Sequence, residues 1–445
     1  MDYNTYLIVH IGGASISGLA EILIGSGKKV YGWEKRIQNE NVQKLIKEGV
    51  EVFSGEIPID IIDSIDCVVH SSITSSEFIR NFFGFGNKTH IFTQFKFINQ
   101  LIRHAKSIAI TGSYGKTITT ILLSHVLDNN QFDISFTCGG ISKNFSSNAK
   151  IGKSNIWIVE AVETHENCLH LSYSYGIILN IESPNQIHVF ESFIKNAKDK
   201  VFINSDDTYS KNILAKHPNN IITFGIKELI SDFRAINITY LGNSLAFDVI
   251  WKYKTVGRIN IPYNGFFSIY NVLAVTVASI YLGLNTDQLN KSFSTFMGVF
   301  KRFDTVYNSP KVSLLVDIAH HPVSIKEVIK ESQKIYNEII VLYHPHMFKE
   351  LNQDVTATID AFSKADKVVL LEIESIKDKL ENGINAEEFV NQQKEKGKKW
   401  FFFHQNIKLL DWLTNIQYSN TIIIQMGMYI DSELTSQIVS LFQRN

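Results

Sequence analysis

Ser107-Ile108-Ala109-Ile110-Thr111-Gly112-Ser113-Tyr114-Gly115-Lys116-Thr117 carries an apolar run into a turn with two glycines, and Ile118-Thr119-Thr120-Ile121-Leu122-Leu123 follows it. The pattern predicts a buried strand, a tight turn and a helix. Such a turn aims several backbone N–H groups at one point beside the positive end of a helix dipole, so Gly112, Ser113 and Gly115 would cradle phosphate. Lys116 can reach the outer phosphates of a nucleotide, and the Thr117 hydroxyl can hold Mg2+. The commoner phosphate loop has a further glycine five residues before Gly115. Ile110 stands there, so this is a variant with two residues between its glycines. A plain strand–helix turn that contains Gly-Lys-Thr is the alternative. It is the weaker one, because strand, turn and helix all fall where the chemistry requires them.

Upstream, the first hundred residues alternate strand and helix patterns. Tyr6–His10 reads as a strand, Ile11–Ser15 as a turn, Ser17–Ile24 as a helix and Val30–Gly32 as the next strand. Further strands are expected at Val50–Phe53 and Asp66–His70, an alternation that argues a mostly parallel sheet covered by helices. Glu34 follows the Gly12-Gly13 turn at about the twenty-residue spacing of a ribose-binding acid. With only two glycines the fingerprint is incomplete, and an ordinary turn stays open as a reading.

Downstream, Ile156–Val159 and Tyr175–Leu179 are short apolar runs of the buried parallel type. Glu160 ends the first of them, where an acid can complete a Mg2+ shell begun by Thr117. Residues 233–262 alternate polar and apolar side chains and predict a small antiparallel excursion. A long buried helix is expected from Ser268; its apolar stretch, Val272–Leu284, is too short and polar to span a membrane. A third α/β unit starts near Val306, with strands expected at Val312–Val316, Ile339–Leu342, Val368–Leu371 and Thr421–Ile424.

Two more groups of residues stand at strand ends of that unit. Asp317-Ile318-Ala319-His320-His321-Pro322 follows the first strand, and His344-Pro345-His346 follows the second. A carboxylate and imidazoles there can orient charged substrates. No third ligand is near enough in sequence to argue for zinc. Lys301-Arg302 at the junction could grip phosphate or carboxylate, or be a solvated charge pair.

The 445 residues suffice for two or three domains, with 44% apolar and 20% charged side chains and a net charge of −1. There is no basic excess to suggest nucleic acid. Cys67, Cys138 and Cys168 lie far apart, and the first residues lack the basic start of a signal peptide. A reduced, cytoplasmic setting away from membranes is the plain reading.

In this order these pieces resemble the Mur ligases of peptidoglycan synthesis, along nearly the whole chain. His10-Ile11-Gly12-Gly13-Ala14-Ser15-Ile16-Ser17-Gly18-Leu19-Ala20 resembles the N-terminal uridine-nucleotide turn of the branch that adds L-alanine. Thr111–Thr117 is similar to the family's Thr-Gly-Thr-His-Gly-Lys-Thr, Glu160–Thr164 to Glu-Ala-Asp-Glu-Ser, and Asn180-Ile181-Glu182 to the start of Asn-Ile-Glu-Pro-Asp-His. Gly298–Phe303 resembles the segment entering the C-terminal domain, Asp317–Pro322 resembles Asp-Tyr-Gly-His-His-Pro, and His344–His346 resembles Gln-Pro-His.

The resemblance implies an ATP- and Mg2+-dependent amide ligase of α/β class with three domains. Residues 1–104 would form a Rossmann-like domain for the UDP-sugar. Residues 105–305 would form a phosphate-loop domain for ATP, with a parallel sheet and a small antiparallel part, and 306–445 a Rossmann-like domain for the amino acid. Lys116, Asp317 and His320 would serve catalysis. Asn271 and Arg302 would join the phosphate loop around ATP, and Thr117, Glu160 and Asn185 would face the metal. Gly12, Gly13, Ser17, Glu34, His321 and His346 would contact substrates, with UDP-N-acetylmuramate and L-alanine the expected pair. A monomer or weak dimer is expected. A relative that attaches a tripeptide to the same sugar nucleotide, and a non-catalytic homologue that only binds nucleotide, remain the other readings.

Several residues depart from the family. His10 and Ser15 replace glycines, Ser113 and Tyr114 replace Thr and His, and Val162 and His165 replace acids. Asn185 stands in place of a metal-binding histidine, with His188 three residues on. The adenine-side segment reads Gly265-Phe266-Phe267-Ser268-Ile269-Tyr270-Asn271 and keeps only its ends, and Met347 replaces an arginine.

Overall fold

The structure, a computed structural model, describes residues 3–72, 74–162, 171–216, 220–241, 244–262, 268–345, 355–371, 386–427 and 430–444. Glu163–His170, Tyr263–Phe267 and His346–Asp354 therefore lie outside the described residues, and with them the expectations placed on Thr164, His165, Phe267, His346 and Met347.

Three sheets form among the described residues, as the alternating pattern and the resemblance require. The first contains β1 (Thr5–Val9), β2 (Lys29–Trp33), β3 (Glu51–Phe53), β4 (Cys67–His70) and β5 (His90–Thr93) in the order β3-β2-β1-β4-β5. All its pairings are parallel. The chain direction across the sheet reverses at β1/β4, the switch point at which open α/β sheets offer a crevice.

The second sheet starts with β6 (Lys106–Thr111), β7 (Ser135–Ser142), β8 (Ser147–Lys150), β9 (Ile156–Glu160) and β10 (Tyr175–Ile178). It continues with β11 (Val201–Asn204), β12 (Ile221–Gly225), β13 (Phe233–Leu241), β14 (Ser244–Trp251) and β15 (Lys254–Pro262). The order β15-β14-β13-β12-β11-β10-β6-β9-β7-β8 puts β6 in the interior, parallel to both neighbours. That position explains its near-continuous Ile and Ala: both faces are covered, and five of its six residues are buried. Helices Lys116–Asn129 and Ile269–Tyr281 pack there, each buried over most of its length. The expected antiparallel part is the β14–β15 hairpin. Its two-residue loop, Lys252-Tyr253, has φ of 45° and 68°, a type I′ geometry made without glycine. A second antiparallel pair, β7 with β8, was not expected from the sequence.

The third sheet contains β16 (Asp304–Asn308), β17 (Val312–Asp317), β18 (Glu338–Tyr343), β19 (Lys367–Leu370), β20 (Trp400–Phe402) and β21 (Thr421–Met426), ordered β16-β17-β21-β18-β19-β20. β16 is an antiparallel edge strand, and the others pair in parallel. The last strand in sequence, β21, thus lies between β17 and β18, and every residue of β17 and β21 is buried.

The chain divides into two compact units, the first holding the first two sheets up to Met297, the second the third sheet from Gly298 onward. Within the first unit, helix Ala14–Gly25 lies on β7 and β8. The Asn148 side chain donates to the Ala14 carbonyl and to Ser17 Oγ at 3.0 Å. Ser147 Oγ donates to Glu21, whose other oxygen takes Lys44 Nζ at 2.7 Å. A Cβ on Gly18 would stand 3.0 Å from the Ala149 Cβ, so the bare backbone permits the close approach.

Candidate active site

β6 ends at Thr111, and the chain turns through Gly112 and Gly115 into helix Lys116–Asn129. Gly115 is the N-cap residue, with φ 82° and no side-chain cap. Any Cβ there would meet Asn271 Oδ1 at 2.6 Å, so both conformation and space demand glycine. The helix therefore begins without a side-chain oxygen over its first N–H groups, leaving them to an anion. Lys116 Nζ folds back onto the carbonyls of Gly112 at 2.5 Å and Ser113 at 3.4 Å. Asn271 is almost fully buried beside the turn, and its Nδ2 has no hydrogen-bond partner among the described residues.

Thr117 and Glu160 are brought together. β6 and β9 are parallel neighbours with Ile110 opposite Glu160, which carries the carboxylate to the first turn of the helix. Thr117 Oγ1 lies 3.0 and 3.1 Å from the two Glu160 oxygens, and Glu160 Oε2 also accepts from the Gly139 N–H at 2.7 Å. The carboxylate is only half-buried, so lone pairs remain for a hard cation beside the hydroxyl. Among the described residues no three His, Cys, Asp or Glu side chains cluster as a metal cage. The Thr117 hydroxyl beside the Glu160 carboxylate is a donor set that fits Mg2+, which keeps waters and phosphate oxygens and asks for one or two carboxylates.

Asn185 lies exposed in a single 3-10 turn, Pro184–Gln186, where its backbone N–H bonds Ser183 Oγ at 3.3 Å. His188 is exposed in the following helix. Among the described residues no hydrogen bond joins either side chain to Thr117 or Glu160.

At the first sheet's switch point the Gly12 N–H donates to Glu34 Oε2 at 3.3 Å, and its carbonyl accepts from Asn41 Nδ2 at 3.0 Å. Gly13 is the N-cap of helix Ala14–Gly25, again without a side-chain cap. His10, at a family glycine position, takes the left-handed φ of 61° that glycine would favour. Its Nε2 lies 3.3 Å from Thr74 Oγ1, and its ring is edge-on to Trp33. Ser17 joins this turn through its backbone, its N–H on the Gly13 carbonyl at 3.0 Å, but its side chain faces elsewhere. It is 2% exposed, and its hydroxyl is engaged by the Ala14 carbonyl at 3.1 Å and by Asn148. The resemblance implied a substrate contact for this hydroxyl, but the unforeseen β7–β8 pair covers it.

In the second unit Asp317 also departs from expectation. It is 4% exposed, with one oxygen accepting from the Phe303 N–H at 2.6 Å and the other from the Ala319 N–H at 2.7 Å. Burial pushes the carboxyl above the ordinary aspartate range, against the pull of the Arg302 charge and these two N–H groups. An acid so engaged pins the Arg302–Phe303 turn to the end of β17; it does not reach outward. Arg302 Nε is buried with no hydrogen-bond partner among the described residues. His320 is exposed, with Nδ1 3.0 Å from the Ile318 carbonyl, and exposed His321 is the N-cap of helix Pro322–Ser332. Gly427, at the end of β21, donates its N–H to the Asp317 carbonyl at 3.2 Å. Sequence reading missed it because nothing local reveals that β21 inserts between β17 and β18. It also gave no role to Gly139 or Asn180, both of which touch the phosphate-loop constellation through contacts distant in sequence.

A glycine turn into an uncapped helix, a lysine over the turn, and a hydroxyl–carboxylate pair at adjacent parallel strand ends define a phosphate-loop nucleotide enzyme. Three family profiles match in chain order: Mur ligase family, catalytic domain, over 5–81; Mur ligase middle domain over 185–279; and Mur ligase, glutamate ligase domain, over 301–428. The chain belongs to the Mur ligase family, and it is an ATP-dependent, amide-forming ligase of the kind that serves peptidoglycan synthesis. It is 28% identical over 438 residues to a UDP-N-acetylmuramate–L-alanine ligase of Hydrogenobaculum, with 96% of each chain covered. With its Clostridium perfringens counterpart it shares 26% over 433 residues, covering 94% of each. Among solved structures, UDP-N-acetylmuramate-alanine ligase from Thermotoga maritima shares the fold with a TM-score of 0.78 at 22% identity and 99% coverage of both chains. A murein peptide ligase from Psychrobacter arcticus follows at 0.70 and 16%, with the same coverage.

Proposed function

We propose that this chain joins L-alanine to UDP-N-acetylmuramate. The sugar's lactyl carboxylate attacks the γ-phosphorus of ATP, giving an acyl phosphate and ADP. The neutral amine of L-alanine then adds to the acyl carbon, and the tetrahedral intermediate expels phosphate as the amide forms. The observation that carries the reading is the end-to-end match to ligases of that name, combined with the Lys116–Thr117–Glu160 constellation at the end of β6.

Lys116 turns from its own loop carbonyls to the transferring phosphoryl group, and the N–H groups of Gly112, Ser113 and Gly115 hold the phosphates. Thr117 and Glu160, with Asn185, are the residues that would hold Mg2+, which when bound would neutralise charge developing on the phosphoryl oxygens. Asn271 and Arg302 complete the nucleotide contacts. Gly12, Gly13 and Glu34 serve the sugar nucleotide within a domain of residues 1–104; 105–305 hold ATP, and His320, His321 and His346 within 306–445 meet the acceptor. Asp317 serves by position, through the turn that carries Arg302. Among the described residues no helix is long and apolar enough to cross a membrane. The enzyme so proposed acts in the cytoplasm as a monomer or weak dimer.

Phosphate release with ATP, Mg2+ and UDP-N-acetylmuramate, screened across amino acids and peptides, tests the reading. L-alanine should give the fastest release. A faster tripeptide would move the chain to the recycling type of reaction, and no release with any acceptor would leave a nucleotide-binding homologue.

A further inference from the structure

We propose that Asn180 is the positioning residue of the phosphate loop, holding the Tyr114 peptide so that the loop keeps its nucleotide-binding shape in the free enzyme. The proposal rests on the ATP reading above and adds a residue to it. Asn180 follows the end of β10, the parallel neighbour of β6, and is 5% exposed. Its Oδ1 accepts from the Tyr114 N–H at 3.0 Å, and its Nδ2 donates to the Tyr114 carbonyl at 3.0 Å. One side chain thus satisfies both polar groups of a single residue in the middle of the turn. Asparagine is suited to this, with a donor and an acceptor side by side.

The neighbouring backbone extends the grip on both sides. Ser113 N–H points to the Asn180 carbonyl at 3.4 Å, and Ser113 Oγ accepts from the Glu182 N–H at 3.1 Å. The segment that does the holding is itself held from behind. Asn204 Nδ2 donates to the Leu179 carbonyl at 3.0 Å, and Asp207 Oδ2 accepts from the Ile181 N–H at 3.1 Å. Two strands of the sheet, β10 and β11, therefore back the turn carried by a third. A glycine-bearing loop left to itself would lose conformational freedom when it closes on phosphate, and that loss would weaken binding. The Tyr114 clamp removes most of this freedom at folding.

Two readouts test the proposal on the full chain. In the ligand-free protein, Asn180→Ala should speed hydrogen exchange of the Tyr114 amide by at least about tenfold, the scale of one buried hydrogen bond. It should also raise the Kd for the non-hydrolysable analogue β,γ-methylene-ATP by at least about tenfold. The KM for the amino acid should stay unchanged, a split that mere loss of stability would not produce. Unchanged Tyr114 exchange overturns the clamp; faster exchange with an unchanged Kd overturns its use in positioning. Should Asn180→Ala fail to fold, Asn180→Ser, which is too short to reach both ends of Tyr114, carries the same expectations. A wild-type chain that does not bind the analogue overturns the ATP reading and the proposed use together. The exchange readout, which needs no nucleotide, tells that failure apart from failure of the clamp.

Discussion

Two turns of this molecule leave the end of an interior parallel strand and open a helix, and both carry an acid nearby. At the end of β6 the acid comes from the neighbouring strand: Glu160 reaches across to Thr117, half-exposed. At the end of β17 the acid is the last residue of the strand itself, and Asp317 is buried with each oxygen on a backbone N–H. Sequence patterns treat the two alike. Their environments do not: one carboxylate keeps lone pairs for a cation, while the other is part of the scaffold. A carboxylate at a strand end is a candidate for chemistry only if it stays open enough to keep lone pairs for a ligand beyond those its neighbours use.

The largest expected effect breaks the first turn. Lys116→Ala should lower phosphate release by at least about a hundredfold, the range for removing one preorganised electrostatic group. Its melting temperature should stay close to that of the wild type. An active variant would reduce the β6 turn to the same structural status as the β17 turn.

Asp317→Ala should act in the opposite manner. It leaves the Phe303 and Ala319 N–H groups without their acceptor, at about 1–3 kcal/mol each. Denaturant unfolding should show that loss, with the Kd for nucleotide less affected than in Lys116→Ala. A stable variant with normal folding and no activity would restore Asp317 to the chemistry.

The two units should also respond to pH with opposite sign. His125, buried on the phosphate-loop helix, bonds the Ser292 carbonyl at 2.9 Å and Thr295 Oγ1 at 3.0 Å through Nε2; burial holds its pKa below the ordinary value. Its neutral form is favoured by folding, so its contribution is present above about pH 6.5 and lost as pH falls through that value to the lower folded pKa. Asp317 has a raised folded pKa, so its contribution is full below the unfolded value near 3.8 and is lost as pH climbs through the folded one. Subtracting the unfolding curve of His125→Gln from that of wild type should give a difference that falls on acidification. For Asp317→Asn the difference should rise. Flat differences would mean that neither burial matters to stability.

The smallest effect concerns the metal. Asn185→His should lower the Mg2+ concentration for half-maximal rate by about a few-fold, since imidazole is the stronger donor but Mg2+ prefers oxygen. No change with Asn185→His, together with loss on His188→Ala, would place the contact three residues further along. The wild-type requirement itself would then rest on Thr117, Glu160 and His188.

Much of this was legible in the sequence where the signal is local. The β6 turn could be read because glycines, lysine, threonine and the flanking apolar runs all lie within a few residues. Most of the interior strands could be read from continuous Ile and Val. What escaped depends on pairings across the chain. Ser17 looked like part of an open turn because nothing in its own helix announces Asn148, more than a hundred residues away. Asp317 looked reactive because the Phe303 N–H, one of its two partners, reaches it only once the junction turn folds back on β17. Asn185 lies in a histidine's place in the motif, but the motif cannot tell whether the backbone carries it to the same point.

Helix Ala14–Gly25 lies against β7 and β8, and its first turn is hydrogen-bonded to Asn148. β7 also supplies Gly139, whose N–H steadies Glu160 beside the phosphate loop. The Gly12-Gly13 turn and Thr117 are therefore tied to one another through β7 within a single folded unit, like the two arms of a calliper. If the carboxylate and the γ-phosphate are presented by those two turns, their encounter needs no search by separate bodies, and the entropy of bringing them together is already lost when the chain folds. It follows that selection on sugar-nucleotide length would be severe: a donor one bond shorter or longer than the gap would bind and yet be phosphorylated slowly.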